Sequence, residues 1–183
     1  YYPLYFLDFE TFQQAIPEYD NIRPFEQIPF QYSLHYIEKE NAELKHTEFL
    51  AEPGENPKRK LAEKLVADIP ENVCVLAYNM SFEKTVIKNL AEEFEDLREH
   101  LLKIHSNIKD LIIPFRKRMY YLKEMQGAYT IKKVLPSLYP DIPEFDYKNL
   151  SVVHNGEEAS NIFAQMQFKS VEEQEIIRKG LLE

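Results

Sequence analysis

Leu4-Tyr5-Phe6-Leu7-Asp8-Phe9-Glu10-Thr11-Phe12 is the stretch that decides the fold, because it has the pattern of a buried β-strand that ends in two acids. Side chains alternate between the two faces of a strand, so Asp8 and Glu10 share one face. Apolar residues occur on both faces, which is typical of a central strand that is covered on both sides. The sequence therefore predicts a strand in the middle of a sheet that brings two carboxylates to one place.

The pair formed by Asp8 and Glu10 needs a counter-charge wherever it is not fully hydrated. Neighbouring carboxylates repel each other and lose hydration energy on burial. Mg²⁺ accepts one or two carboxylate ligands and keeps positions for phosphate oxygens and water. One interpretation is therefore a divalent metal site. The other is a solvent-exposed strand end whose acids only keep the chain soluble.

Length and composition favour one folded domain. The chain has 183 residues, 44% of them hydrophobic, with 12 Tyr and 12 Phe, which is enough to bury a core. Its single cysteine, Cys74, excludes a disulfide scaffold within the chain. We find neither a signal peptide nor an apolar run of membrane-spanning length, and we expect a cytoplasmic protein without a membrane partner. Because residue 1 is Tyr rather than Met, we also expect a fragment of a longer protein.

The formal net charge of −9 is distributed unevenly. Residues 1–56 hold eleven acids against three Lys or Arg. The 103–133 segment reverses this balance, with two acids against eight cations: Lys103, Lys109, Arg116, Lys117, Arg118, Lys123, Lys132 and Lys133. Such a segment suits a phosphate backbone, and it also suits the solvated face of a helix.

The order of the remaining patterns predicts an α/β protein with a mixed sheet. Residues 30–37 and 44–50 alternate as strands and extend the first strand into an antiparallel meander. An amphipathic helix, with Lys58, Arg59 and Lys60 in its first turn and an apolar stripe over residues 61–69, then leads to a strand at residues 72–78. A crossover connection makes this strand parallel to the first. A long helical pattern follows from Phe82 to Ile104, for which Ser81 is the predicted N-cap.

Glu83 in the first turn of that helix has two interpretations. An acid there interacts favourably with the helix dipole and needs no further role. Alternatively, the end of the fourth strand lies beside the end of the first, in which case Glu83 faces Asp8 and Glu10.

These motifs, in this order, resemble those of DEDD-type 3′-5′ exonucleases of the ribonuclease H-like superfamily. Asp8, Glu10 and Thr11 match the first motif, and Asn79, Phe82 and Glu83 match the second, in which the acid is usually Asp. A narrower resemblance, to an uncharacterised bacterial family often found after a RecB-like nuclease region, covers nearly the whole chain. It rests on Asp110-Leu111, Gly127-Ala128-Tyr129-Thr130-Ile131-Lys132, Val134-Leu135-Pro136, Tyr147-Lys148-Asn149-Leu150 and Gly156-Glu157-Glu158-Ala159.

The resemblance implies a ribonuclease H-like fold with a mixed five-stranded sheet flanked by helices, and a two-metal exonuclease using Mg²⁺ or Mn²⁺. In that mechanism Asp8 bridges the two ions, while Glu10 and Glu83 each hold one. Thr11 and Phe12 would meet the terminal nucleotide through backbone N–H groups and a stacked ring. The residues expected to contact the substrate are Thr11, Phe12, Asn79, Phe82, Arg116, Lys117 and Arg118.

The resemblance also implies partners and leaves rival functions open. We expect single-stranded nucleic acid, DNA rather than RNA, and a RecB-like nuclease region upstream in the same polypeptide. One rival is a catalytically inactive ribonuclease H-like module that binds nucleic acid or a partner domain. The other is an endonuclease of the same fold, such as a resolvase.

A fourth acid is expected from the resemblance, in a late helix and preceded by Tyr four residues earlier or His five residues earlier. Glu158 is the candidate within this chain, but His154 stands four residues before it, so it fits neither spacing. The alternative for Glu158 is a first-turn acid that the helix dipole favours. We therefore expect the fourth ligand and its Tyr beyond residue 183, and slow or absent cleavage by this piece alone.

Overall fold

A computed structural model describes residues 2–145 and 156–182 of the chain. This part of the chain contains five strands and seven α-helices. The strands are β1 (Leu4–Phe12), β2 (Ile28–Ile37), β3 (Lys45–Leu50), β4 (Cys74–Ala77) and β5 (Ile108–Asp110). The helices are α1 (Lys58–Asp68), α2 (Ser81–Glu93), α3 (Arg98–Asn107), α4 (Ile113–Arg116), α5 (Ile131–Leu138), α6 (Gly156–Met166) and α7 (Val171–Leu182).

The five strands form one mixed sheet in the order β3-β2-β1-β4-β5, so β1 is the central strand. It pairs antiparallel with β2, which pairs antiparallel with β3, whereas β4 and β5 run parallel to it. The predicted fold class, an α/β protein with an antiparallel meander and parallel strands flanked by helices, is confirmed. This architecture is compatible with the ribonuclease H-like fold that the motifs resemble.

The two faces of β1 are not equally covered, so the prediction of a strand covered on both sides is wrong for one face. Tyr5, Leu7 and Phe9 are almost fully buried in the main hydrophobic core. That core also contains apolar side chains of α1, α2 and α3, which pack against this face. On the other face Leu4 and Phe6 are only half-buried and Asp8 is open to solvent. The acids therefore lie on the less covered face of the sheet.

A second apolar cluster closes the end of the sheet beyond the acids. Phe12 and Phe30 pack with Phe163 of α6, whose ring stacks on that of Phe30 with centroids 4.2 Å apart. Met166 and Leu181 belong to the same cluster. Residues from both ends of the chain thus build one small core around the end of β1.

The helix predicted from Phe82 to Ile104 is two helices, and this prediction was wrong. Helix α2 ends at Glu93, Phe94 adopts an extended backbone, and α3 begins at Arg98. The apolar stripe continues across the break because both helices pack on the same core. The prediction that Ser81 is the N-cap is also wrong, because the N-cap is Met80. The Ser81 hydroxyl donates to the side-chain oxygen of Asn79 instead.

None of the helices described in residues 2–145 and 156–182 has the length and apolar composition that a transmembrane span requires.

Candidate active site

Asp8 and Glu10 lie where β1 begins to leave the regular sheet. Across the antiparallel pair, Asp8 is opposite Ser33 and Glu10 is opposite Gln31. The register shifts between Glu10 and Thr11, an irregularity that locally redirects a strand. The predicted alternation therefore holds up to Glu10, and the two acids share the open face.

The acids line an open cleft, which we call the acid cleft, made of three cavities of about 410, 350 and 170 Å³ that share Asp8 or Glu10 among their walls. The smallest cavity also contacts Ala159 of α6 and Gly180 of α7. The Gln31 side-chain amide donates to the carbonyl of Leu181, and this bond holds the end of α7 beside the cleft. Two late helices thus form one wall of a site whose floor is β1.

Both carboxyl groups of β1 have raised pKa values. Burial raises the pKa of Asp8, although the N–H of Phe9 donates to it and opposes the shift. Burial and the neighbouring charge of Asp8 raise the pKa of Glu10 to about 7, while the cation of Lys132 lowers it. Asp8 is thus open to solvent from the cleft while protein atoms around it displace much of its hydration. The charge of Asp8 therefore disfavours ionisation of Glu10, as the spacing of the two acids predicts.

Glu83 is the most deeply buried acid near this cleft, with 2% of its surface exposed. The pKa of its carboxyl is raised to about 7, mainly by burial and to a smaller extent by the negative charges of Asp8 and Asp110, while its own backbone N–H opposes the shift. Its Oε2 atom has no hydrogen-bond partner among the described residues. A dipole contact at a helix start does not require such burial, so the first-turn interpretation leaves the carboxyl unexplained.

Asp110, at the end of β5, holds the turn that leads to Glu83, and sequence reasoning missed this role. Its Oδ1 atom accepts the N–H groups of Asn79 at 2.9 Å and Ile112 at 3.1 Å. Asn79 has φ +69°, a left-handed conformation that asparagine tolerates better than most residues. Asp110 therefore fixes the backbone between β4 and α2, and its side chain is 3% exposed.

The three predicted ligands are electrostatic neighbours around Asp8, since its charge raises the pKa of both Glu10 and Glu83. As placed in the described part of the chain, however, no three carboxylate, imidazole or thiol groups stand close enough to hold one ion. Repulsion turns like charges away from each other, and a divalent cation draws them together. The donor set, all oxygen and including one orphaned buried carboxylate oxygen, fits Mg²⁺ or Mn²⁺. Their convergence on a shared metal stays a prediction.

Three predicted substrate contacts have different surroundings from those expected. Phe12 is 2% exposed, and its ring packs against Phe30 and Phe163, so the expectation that it stacks on a nucleotide is wrong. Thr11 is buried, and its carbonyl accepts the hydroxyl of Ser160. Phe82 is half-buried against the main core. Thr11 thus lines the largest of the three cavities, whereas the rings of Phe12 and Phe82 pack into the two apolar clusters.

The predicted cations of the 103–133 segment lie largely on the surface. Arg116, Lys117 and Arg118 are all exposed at the end of α4. Arg116 lies 4.0 Å from Asp110, so its charge is partly directed at that carboxylate. Lys132, which the sequence grouped with the general basic segment, is the cation whose charge acts on Glu10.

The candidate fourth acid, Glu158, lies in α6 directly before Ala159, which lines the acid cleft. Its side chain is half-buried and has interactions of its own. His154 lies outside the described residues, as do Tyr147, Lys148, Asn149 and Leu150 of the family motifs.

Comparison with known proteins gives a family without an assigned activity. A family model described as "Domain of unknown function (DUF2779)" matches residues 5–130. The chain is also similar to the uncharacterized protein UU173 of Ureaplasma parvum serovar 3, with 30% identity over 167 residues. That match covers 80% of this chain and 24% of the relative, so the chain spans about a quarter of the relative's length. The matched family region contains β1 to β5 and all the predicted acids of the cleft except Glu158.

Proposed function

This chain belongs to the DUF2779 family, and we propose that it is a metal-dependent nuclease domain that hydrolyses phosphodiester bonds of nucleic acid from the acid cleft. The observation that carries the proposal is the Glu83 carboxyl, buried to 2% exposure beside Asp8, with an Oε2 atom that has no hydrogen-bond partner in residues 2–145 and 156–182. An acid in that position costs stability unless a proton or a cation compensates it. Function, rather than folding, is the reason to keep it.

In this proposal Asp8 and Glu10 hold divalent ions from the floor of the cleft, and Glu83 holds an ion from the start of α2. Two bound Mg²⁺ or Mn²⁺ ions would supply Lewis-acid chemistry at the scissile phosphate. Lys132, whose charge reaches Glu10, would attract the phosphate and balance its charge. Asp110 keeps Glu83 in place through the β4–α2 turn. The exonuclease mode and the 3′-5′ polarity are carried over from the resemblance of the motifs.

We propose in addition that the domain works in the cytoplasm and in a longer polypeptide that carries a RecB-like nuclease region. A reducing compartment suits the free thiol of Cys74. The motif resemblance supports the RecB-like region, and the relative, which is much longer than the region it shares with this chain, supports only the longer polypeptide.

The test begins with metal binding, measured by calorimetry with Mn²⁺ at pH 8, where the carboxyl groups are ionised. Asp8→Asn and Glu83→Gln should each weaken binding by at least about tenfold, because an ion of this type has few protein ligands. Glu40→Gln is the matched control, since Glu40 is an exposed acid in the β2–β3 turn. Equal affinity in all four proteins would remove the metal site from consideration.

Cleavage is measured next, with an end-labelled single strand and a closed single-stranded circle in Mn²⁺. Release of mononucleotides from the linear strand alone, lost in Asp8→Asn, is the expected result. Nicking of the circle would make the domain an endonuclease. Metal binding without cleavage of either substrate would make it a non-catalytic module.

A further inference from the structure

Beyond the cleft, we infer that the surface formed by residues 116–133 binds a single nucleic-acid strand by stacking its bases on Tyr120 and Tyr129. We call this region the 116–133 surface; it runs from the end of α4 to the first turn of α5. The inference rests on the proposed function for its substrate class, but the two tyrosines that carry it have no part in the proposed metal site.

The charge of the 116–133 surface is opposite to that of the protein. The chain has a net charge of −9, yet this stretch holds six cations and one acid, Glu124. Within the part of the chain that the structure describes, four of the exposed cations form no ion pair: Lys117, Arg118, Lys123 and Lys133. Cations that are not used for internal pairs are available to phosphates.

Aromatic rings stand among these cations and remain unusually open to solvent. Tyr120 is 49% exposed and Tyr129 is 43% exposed, and Met119 beside Tyr120 is 74% exposed. A folded protein gains by burying such rings. Apolar surface that stays exposed and is rimmed by charge is typical of a binding site.

The rings are held by the structure rather than left on a loose loop. Phe115 packs edge-on against Tyr120, with centroids 6.1 Å apart, and also contacts Tyr78 at 6.4 Å. The hydroxyl of Tyr78 donates to the carbonyl of Tyr129 at 2.6 Å. Tyr78 therefore connects both exposed tyrosines, and a ligand that stacks on them pays little ordering entropy.

The surface is continuous with the acid cleft. Tyr78 lines the same cavity as Asp8, together with Leu111 and Ile131. Lys132 follows Ile131 directly, and its positive charge lowers the pKa of Glu10. A strand lying on the two tyrosines would therefore have a phosphate within the reach of the acids.

Single-stranded nucleic acid is the occupant that satisfies both properties of the surface. Its phosphates match the cations, and its unpaired bases offer flat faces to the rings. A duplex keeps its base faces stacked inside, and an acidic protein segment would use the charges without the rings. Because exposed tyrosines stand among the cations, the surface favours a single strand over a duplex or an acidic protein segment.

The experiment compares two labelled oligonucleotides of equal length and charge, one of oligo-dT and one abasic throughout, by fluorescence anisotropy in EDTA. The wild-type chain should bind oligo-dT at least about tenfold more tightly than the abasic strand, because stacking adds to the phosphate contacts. Tyr120→Ala combined with Tyr129→Ala should lower the oligo-dT affinity to the abasic level and leave abasic binding unchanged. Lys117→Glu with Arg118→Glu should weaken both and flatten the salt dependence.

Two controls keep the result specific. Tyr2→Ala removes a tyrosine of similar exposure, 46%, at the opposite end of β1 and should change nothing. Tyr120→Phe combined with Tyr129→Phe keeps both rings and should bind like the wild type, even if the alanine variant folds poorly. Equal binding of the two strands by the wild type, or competition by polyglutamate as effective as by oligo-dT, would overturn the inference in favour of an acidic protein partner or simple charge attraction.

Because these measurements contain no metal, they separate the inference from the proposed nuclease function. Calorimetry with Mn²⁺ on the tyrosine variants should give the wild-type affinity. Failure of stacking with intact Mn²⁺ binding rejects only the 116–133 surface. Normal stacking without any Mn²⁺ binding rejects only the proposed metal-dependent nuclease.

Discussion

Glu83 is a residue whose burial lowers the stability of the fold, although the structure around it fixes its position. The sequence predicted its position at the start of a helix and its proximity to the first strand, because crossover topology brings those strand ends together. It did not predict the depth of burial, since that depends on how α2 and β5 pack around the turn. The same limit applies to Phe12, whose burial depends on Phe163, a residue 151 positions later.

The pH dependence of stability should report the buried carboxyl of Glu83 directly. The usual pKa of a glutamate carboxyl, which applies to the unfolded chain, is 4.5, and the pKa of Glu83 in the folded protein is about 7. Between these values the folded state keeps a proton that the unfolded state has released, so stability falls as pH rises from about 4.5 to 7 and levels off above. Without metal, the wild type should lose up to about 3 kcal/mol over this range through this residue alone.

The variant Glu83→Gln cannot ionise and should have a flatter curve, measured as urea unfolding in EDTA from pH 5 to pH 8. Glu10, whose pKa is also about 7, leaves some slope in the variant. The exposed control Glu40→Gln should follow the wild type. Parallel curves for wild type and Glu83→Gln would mean that Glu83 is ionised and compensated in the native state.

At the scale of elements, short segments position the residues of the site, although such segments are the hardest to predict from sequence. Strand β5 has three residues and carries no recognisable alternation, yet it delivers Asp110 to the β4–α2 turn. Sequence patterns were reliable where the interacting residues are close together in the chain. The residues Ser170-Val171-Glu172-Glu173 have the sequence pattern of a capping box. The capping box is present at the start of α7, with the Ser170 N–H donating to Glu173 and the Glu173 N–H to the Ser170 hydroxyl.

Asp110→Ala should destabilise the protein by about 1–3 kcal/mol, because the N–H groups of Asn79 and Ile112 would lose their acceptor. It should also weaken Mn²⁺ binding, since Glu83 follows the released turn. Asp110→Asn keeps a carbonyl oxygen in the same place and should recover most of the stability and the metal affinity. Urea unfolding and Mn²⁺ calorimetry measure the two effects. If Asp110→Asn is stable but binds no Mn²⁺, Asp110 is itself a ligand rather than a positioning residue.

At the scale of the whole molecule, one buried cation connects segments that the sequence treats separately. Lys58 is 5% exposed, and its ammonium contacts Glu26 at 3.1 Å and Glu93 at 2.6 Å. The loop before β2, the start of α1 and the end of α2 therefore meet at one side chain. The sequence placed Lys58 only in the first turn of a helix, because nothing local indicates such distant partners.

Lys58→Met should destabilise the protein by about 1–3 kcal/mol, less than the loss of a fully buried ion pair, because both glutamates reach water. Thermal unfolding at pH 7 measures the change. Lys60→Met, which removes the exposed lysine paired with Glu55, is the matched control and should stay within about 0.5 kcal/mol of the wild type. Equal effects of the two substitutions would show that the burial of Lys58 adds nothing.

The cluster of Phe12, Phe30 and Phe163 also limits when this end of the sheet can fold during synthesis. The hydroxyl of Ser160 meets the carbonyl of Thr11 across 149 positions of sequence, so this end of the sheet cannot close until α6 exists. At ribosomal speeds of 5–20 residues per second, β1 and β2 wait roughly ten seconds for that helix. During this time Phe12 and Phe30 lack their cover and the acid cleft lacks a wall. The buried residues of the main core all lie between Tyr5 and Ile108, so the nascent chain contains every one of them while its acid cleft is still unfinished.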